Sequence, residues 1–265
     1  MAWYLQSYRQ VWLIDSTASK LNMNVETYLE DLLMKKMKQT LIASAVALSA
    51  VAGFAVPAAH ADVAATVSAS NMYYWRGLDL KGGAALVADV NVSNSGFIAG
   101  AWASSGDGTL GTEYDLYAGY SGTTGIFSYG ASIVSYNYAA PLGTYTDKDG
   151  KDQPIEAFKP GDYVEIVPFV GIGPFKFTYY DAVAADHEPL SSKDYSYATA
   201  ELNFEKFGIK YGQHFNDGDA GFSHLDVTYK YNSKLSFTIG QVVDDADGAA
   251  PKDTNFVVTL SLPIE

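Results

Sequence analysis

The chain has 265 residues, with 17 Lys+Arg against 30 Asp+Glu, a net charge of −13 and no cysteine. That balance argues against nucleic acid as a partner, because neutralising phosphate takes Lys and Arg. The missing cysteine excludes disulfides, a thiolate nucleophile and Cys-based metal sites.

Residues 1–33 read as a soluble extension, with Val25-Glu26-Thr27-Tyr28-Leu29-Glu30 able to begin a short helix. Next come Lys35-Lys36-Met37-Lys38, an Ala-rich apolar run from Leu41 to Val56, and Ala59-His60-Ala61 before Asp62. A basic stretch, a short apolar stretch and a small-x-small site, in that order, predict a secretory signal peptide over 34–61, cleaved after Ala61. The run is too short and too rich in Ala and Ser for a spanning helix. A buried Ala-rich helix is the weaker alternative. A signal peptide normally opens a chain, so a start assigned upstream of Met34 or Met37 is the simplest account of 1–33. The mature part, 62–265, is expected to be one domain working outside the cytoplasm.

From Asp62 onward the chain alternates with period two, the mark of strands with two unlike faces. Leu86-Val87-Ala88-Asp89-Val90-Asn91-Val92 and Glu113-Tyr114-Asp115-Leu116-Tyr117 are clear instances. Twelve strands are expected, at 63–76, 84–93, 96–103, 113–121, 126–138, 163–172, 175–180, 195–204, 207–215, 223–231, 235–243 and 254–262. Their connections alternate in length. Asn94-Ser95, Gly122 to Gly125, Gly173-Pro174, Glu205-Lys206 and Asn232-Ser233-Lys234 suit tight hairpins. The others are longer and polar. Acids follow the same division: seventeen lie in the long connections and one, Glu205, in the short turns. Short turns at one end and long loops at the other is the arrangement of outer-membrane barrels, with the turns periplasmic.

Charges within the strands give a second test. Arg76, Asp89, Glu113, Asp115, Glu165, Lys176, Glu201, Lys210, Asp226 and Lys230 each fall on the more polar parity of their strand. A lipid-facing Lys or Arg at mid-membrane costs ~2–4 kcal/mol, so these residues are expected to line a pore. Glu165 is the weakest case, sharing its parity with Val167 and Phe169. With Glu205-Lys206 as a two-residue turn, Glu201 should oppose Lys210 across the lumen wall. Aromatics near strand ends suggest two interfacial girdles. Tyr73, Trp75, Tyr136, Tyr138 and Tyr179 belong to the long-loop end, and Phe97, Tyr120, Phe175, Phe204 and Tyr231 to the short-turn end. The fold class is therefore all-β: an antiparallel up-and-down transmembrane β-barrel of about twelve strands.

Asn71-Met72-Tyr73-Tyr74-Trp75-Arg76-Gly77 resembles the aromatic-Arg-Gly segment that opens the TorF-type porins. Phe97 to Ser104, Glu113 to Ser121, and Tyr136-Asn137-Tyr138 with Pro141 are similar to further segments of that family. The resemblance implies an outer-membrane barrel described as a porin.

The same residues offer little to an enzyme. A Ser/His/Asp site could draw on His214 or His224, but no Gly-x-Ser-x-Gly elbow accompanies them. His187 sits in an acidic loop and reads as solvated. No catalytic residue, cofactor or tightly bound metal is expected. Asp244-Asp245-Ala246-Asp247 and Asp147-Lys148-Asp149-Gly150 offer oxygens for weak divalent cations, Ca²⁺ or Mg²⁺, without EF-hand spacing. The expected partners are outer-membrane lipid and small polar solutes or cations. The expected function is passive diffusion through a channel with a weak cation preference, since acids outnumber bases on the pore face. A non-conducting barrel that binds a ligand or surface partner through acidic loops is the alternative, and an outer-membrane hydrolase a weaker one. Export predicts that N-terminal sequencing of the mature protein begins at Asp62; a mature chain retaining Trp3 or Tyr28 would contradict it.

Overall fold

The computed structural model describes residues 61–265, apart from Thr109, 140–143, Lys148, Ile155, 186–191, 246–247, Ala249 and Glu265. The extension over 1–33 and the signal peptide up to His60 lie outside the described residues. So do Pro141, His187, and Lys148 and Asp247 of the two acid-rich loops.

Period-two alternation produces long strands, and their neighbours close them into a cylinder. The wall strands are β1 (Asp62–Ser70), β4 (Ala85–Asn94), β5 (Phe97–Asp107), β6 (Gly111–Thr124), β7 (Phe127–Tyr138) and β10 (Phe158–Ile172). They continue as β11 (Phe175–Ala185), β12 (Tyr195–Asn203), β13 (Phe207–Asn216), β14 (Asp219–Lys230), β15 (Leu235–Asp244) and β16 (Asn255–Ile264). These twelve pair antiparallel in the order β1-β16-β15-β14-β13-β12-β11-β10-β7-β6-β5-β4, and β4 returns to β1. At the β1–β16 seam Ser68 faces Ser261, and the hydroxyl of Ser68 donates to that of Ser261 at 2.8 Å. Two small hairpins lie outside the wall: β2 (Tyr74–Trp75) with β3 (Leu78–Asp79), and β8 (Thr144–Thr146) with β9 (Asp152–Pro154).

The two faces of the wall differ as the alternation requires. Leu86, Val90, Val227, Ile239 and Phe256 are exposed on the outside. Asp89, Glu113, Asp115, Glu165 and Asp226 point inward. Turn chemistry supports the register. Ser95 and Gly96 have φ of 50° and 90°, the left-handed pair that a two-residue hairpin between Asn94 and Phe97 demands. Acids of the loops close their own turns. The Asp147 carboxylate accepts from the Asp149 and Lys151 N–H groups at 2.9 Å, and Asp245 accepts from the Ala250 N–H at 2.7 Å.

Three expectations need correction. The first strand ends at Ser70, not 76, and the chain then leaves the wall. Asn71 makes the departure possible: its side chain donates to the Phe256 carbonyl at 2.9 Å and accepts from the Val258 N–H at 2.7 Å, continuing the ladder in place of backbone. Second, the wall reaches further at the long-loop end than the alternation indicated. Asp107, Asp162, Asp181 and Asp219, assigned to loops, sit in extensions of β5, β10, β11 and β14. Third, only the short-turn girdle forms as expected, with Phe97, Tyr120, Phe175, Phe204 and Tyr231 all exposed. Tyr73 and Tyr138 are buried, and Trp75 and Tyr136 pack against buried clusters inside the barrel.

The segment that leaves the wall returns through the lumen as the β2–β3 hairpin. Its two-residue turn is Arg76-Gly77, with φ of 46° and 90°, between the Trp75–Leu78 pair. Gly77 is required twice. Its φ disfavours any Cβ, and a Cβ there would come within 2.6 Å of the His224 ring. Gly83 has φ of 77° but open space around it. Gly77→Ala should therefore lower stability by about 1–3 kcal/mol, and Gly83→Ala by less, since it adds backbone strain alone. Denaturant unfolding of the detergent-folded barrel measures both, and equal losses would contradict the packing of Gly77 on His224.

Candidate functional site

The hairpin carries Arg76 across the full width of the barrel. It leaves from the β1–β4 seam, and the guanidinium meets β10, β11 and β12, which stand opposite that seam in the closed order. There Arg76 Nη1 donates to Glu165 Oε1 at 3.0 Å and Nη2 donates to Oε2 at 2.6 Å. This is the two-pronged fork that a guanidinium makes with a carboxylate. Nη1 also donates to the Tyr195 hydroxyl at 3.0 Å. Tyr136 and Tyr163 donate to Glu165 at 2.8 and 3.0 Å, so the wholly buried carboxylate has donors on both oxygens. Aromatic faces enclose the cation, with Cζ 4.5 Å from the Trp75 and Tyr180 ring centres and 4.8 Å from that of Tyr197. Such faces attract a guanidinium through their quadrupoles. Burial alone would lower the basicity of Arg76, but the charge and hydrogen bonds of Glu165, together with Tyr195 and Tyr136, outweigh it and hold the group well above its ordinary value.

The rest of the hairpin is tied to the wall on either side. The Tyr73 hydroxyl donates to Glu113 at 2.5 Å, and the Tyr74 hydroxyl donates to Asp226 at 2.7 Å. Burial, then the neighbouring carboxylate, pushes both phenols far above their usual range, so they remain donors. Gly240 leaves the room that Tyr74 occupies: a Cβ there would overlap the Tyr74 hydroxyl. The Arg76 carbonyl can only accept, so His214 Nε2, 2.9 Å away, carries the hydrogen. Its Nδ1 then accepts from the Tyr195 hydroxyl at 3.0 Å. His224 contacts the Asp226 carboxylate through Nδ1 at 2.9 Å and the Tyr197 hydroxyl through Nε2 at 2.7 Å. This Asp-His pair has a phenol where a hydrolase would place its serine.

The charged residues thus fall into two groups. Glu113, Asp115, Glu165 and Asp226 are buried around the hairpin in the long-loop half. Arg76 belongs to no wall strand, and it lies among them at the hairpin tip. Asp89, Lys176, Glu201 and Lys210 are only half-buried, in the short-turn half. Lys230 is exposed at the short-turn end of β14. Glu201 opposes Lys210 in register, as expected, and the ladder runs on through Lys176 on one side and Asp226 on the other. Glu201 bonds along its own strand to Thr199 and Asn203. Lys176 lies 4.8 Å over the Phe169 ring, so an inward face that contains Val167 and Phe169 is compatible with an inward Glu165. The Tyr136, Tyr163, Tyr180, Tyr195 and Tyr197 phenols were not singled out for the lumen by the sequence. The available signal was Tyr73-Tyr74-Trp75, where aromatics on both parities break the alternation just before a turn-forming Arg-Gly.

No family model matches the chain, and no curated protein matches it, so membership of the TorF family is not shown. Among solved structures, a chain from a study of in-meso crystallization of membrane proteins is 12% identical, with a TM-score of 0.45, covering 76% of this chain and 83% of that one. The KdgM porin in complex with disordered oligogalacturonate is 11% identical, TM-score 0.34, over 77% and 99%. Outer membrane phospholipase A from Escherichia coli is 8% identical, TM-score 0.36, over 76% and 89%. These scores are low, and the fold rests on the strand pairing of the chain itself.

Breaking a buried ion pair by removing one partner costs roughly 3–5 kcal/mol, whereas replacing both by apolar groups of similar volume is often neutral. Glu165→Gln should therefore destabilise the folded barrel by about that amount. Arg76→Met with Glu165→Leu should recover most of the loss. Urea midpoints of the three proteins in one detergent decide it; a harmless Glu165→Gln would mean the pair does not hold the hairpin.

Proposed function

We propose that the chain is a porin-like outer-membrane barrel for passive diffusion of small polar solutes, with a weak preference for cations. The observation that carries this reading is the contrast between the two faces of one closed barrel. Apolar side chains are exposed outside, while carboxylates, lysines and hydroxyls line the inside. That is the distribution a lipid-spanning barrel with an aqueous lumen requires. The short-turn half supplies a polar vestibule, and the hairpin closes the long-loop half at rest. Passage then requires the hairpin to shift. The acids at the long-loop mouth concentrate cations. Outer-membrane lipid is the surrounding partner, and weak Ca²⁺ or Mg²⁺ bridging at the acidic loops remains part of the proposal.

A second reading keeps the barrel without conduction. It is favoured by the hairpin itself, which spans the lumen from Glu113 on β6 to Asp226 on β14. In that case the loops bind a ligand or surface partner.

Planar bilayers separate the two. The wild type should pass small currents whose reversal potential under a KCl gradient reports weak cation preference. Removing Arg76 and Glu165 together, as alanines, should raise the conductance. The preference should fall with salt, because the screening length shrinks to ~3 Å at 1 M. Asp89→Asn with Glu201→Gln should reduce it further. Anion preference would overturn the selectivity, and absence of current from the folded double alanine variant would overturn the channel.

A further inference from the structure

We propose that the cage around Arg76 is a recognition site for guanidinium-bearing solutes, and that Arg76 occupies it as an internal ligand. The inference rests on the channel reading only in that a solute arrives through the lumen; binding itself does not require conduction.

The cage belongs to the wall and its occupant does not. Glu165, Tyr136, Tyr163, Tyr180, Tyr195 and Tyr197 stand on β7, β10, β11 and β12, all held in the continuous ladder. Among the described residues, Arg76 comes from a hairpin whose two short strands pair only with each other. The wall therefore presents the same geometry whichever guanidinium enters. Glu165 keeps its phenol donors from Tyr136 and Tyr163 without Arg76, so the carboxylate stays oriented. The faces of Tyr180 and Tyr197 remain where a flat cation would lie.

The chemistry selects the class of ligand. A buried carboxylate refuses anions. Two accepting oxygens side by side match a planar fork, whereas an ammonium is a compact, strongly hydrated point charge that satisfies only part of the site. Aromatic faces on several sides add attraction for a weakly hydrated cation. The pair is also one of several anchors. The hairpin is already tied by Tyr73 to Glu113 and by Tyr74 to Asp226, and it is packed through Leu78 and Leu80 against Phe222 and Val242. Thr178 adds a second observation. It is buried two residues from Tyr180 on the same inward parity of β11, and its hydroxyl has no hydrogen-bond partner among the described residues. It lies toward the vestibule, where the stem of an entering solute would pass. Exchange needs only the Arg76 side chain to withdraw.

The test is calorimetric titration of detergent-folded Arg76→Ala with butylguanidinium and butylammonium chlorides at equal ionic strength. Circular dichroism and heat-modifiable gel migration confirm folding. Saturable binding should favour butylguanidinium by about tenfold. It should vanish when Glu165→Gln is added. No binding, or equal binding of the two cations, overturns the inference. Conductance of the same preparation reports separately on the channel: current without guanidinium preference removes the cage and keeps the channel, and preference without current does the reverse. Should Arg76→Ala fail to fold, the wild type decides. Butylguanidinium should then change tryptophan fluorescence saturably, in a way absent from Trp75→Phe and not produced by butylammonium; no such change overturns the inference.

Discussion

A charge cannot sit in the middle of a barrel away from water unless something pays for it, and here the Arg76–Glu165 fork does. The guanidinium is delivered from one side of the cylinder and the carboxylate stands on the other. Once they meet, little else is free to vary. Both oxygens of Glu165 and the remaining prongs of Arg76 need partners, and Tyr136, Tyr163 and Tyr195 supply them. The turn that aims Arg76 exposes its carbonyl to His214, which fixes the tautomer and so the role of Tyr195. A buried pair of this kind adds little net stability over a well-packed apolar substitute. What it contributes is position: of the arrangements open to a short hairpin in a wide lumen, one satisfies the charges.

The same pair divides the interior into unlike halves. In the long-loop half each of Glu113, Glu165 and Asp226 accepts a hydrogen bond from the hairpin. Arg76 balances the charge of Glu165, whereas the phenols that bond Glu113 and Asp226 supply hydrogen bonds but no countercharge. In the short-turn half Asp89 receives the Tyr117 and Asn91 side chains but remains half-buried, with Lys176, Glu201 and Lys210 nearby in the wall. Acids and lysines alternate there around neighbouring strands, so their fields largely cancel. On the channel reading, the proposed cation preference would originate mainly at the acidic long-loop mouth.

The wall was legible because one rule governs it. An apolar exterior and a polar interior impose period two on the wall strands, and Leu86-Val87-Ala88-Asp89-Val90 obeys it openly. Turn residues then set the register, which is why Glu201 could be placed opposite Lys210 from the Glu205-Lys206 turn alone. The hairpin was not legible because it obeys no such rule. Tyr73 to Arg76 is as aromatic as a strand near a membrane interface, so it read as a continuation of β1. Tyr136 and Tyr138 were ambiguous for a related reason. A tyrosine at a strand end suits an interfacial girdle and a filled lumen equally well, and only knowledge of what lies across the barrel separates them. Asn71 carried the missing information. Its side chain imitates a peptide group, and that is the device by which a strand stops pairing before its hydrophobic pattern stops.

The materials of the plug bear on whether it can move. An apolar plug would have to expose its surface to leave, and water offers nothing in exchange. The hairpin instead meets the wall through the phenol–carboxylate bonds of Tyr73 and Tyr74 and the guanidinium fork of Arg76, with apolar packing from Leu78 beside the turn and Leu80 toward the base. Hydrogen bonds to charged groups contribute roughly 1.5–3 kcal/mol each, because water competes for the same groups. The backbone joins the wall at that base too, through Gly108 N–H to the Leu80 carbonyl at 2.9 Å and the Lys81–Asp107 bridge. Phenol bonds and apolar packing thus both run along the hairpin, and its base carries the backbone contacts as well. On the channel reading, release of the tip would have to break the Arg76–Glu165 fork and the Leu78 packing while the backbone contacts at the base hold the hairpin to the barrel.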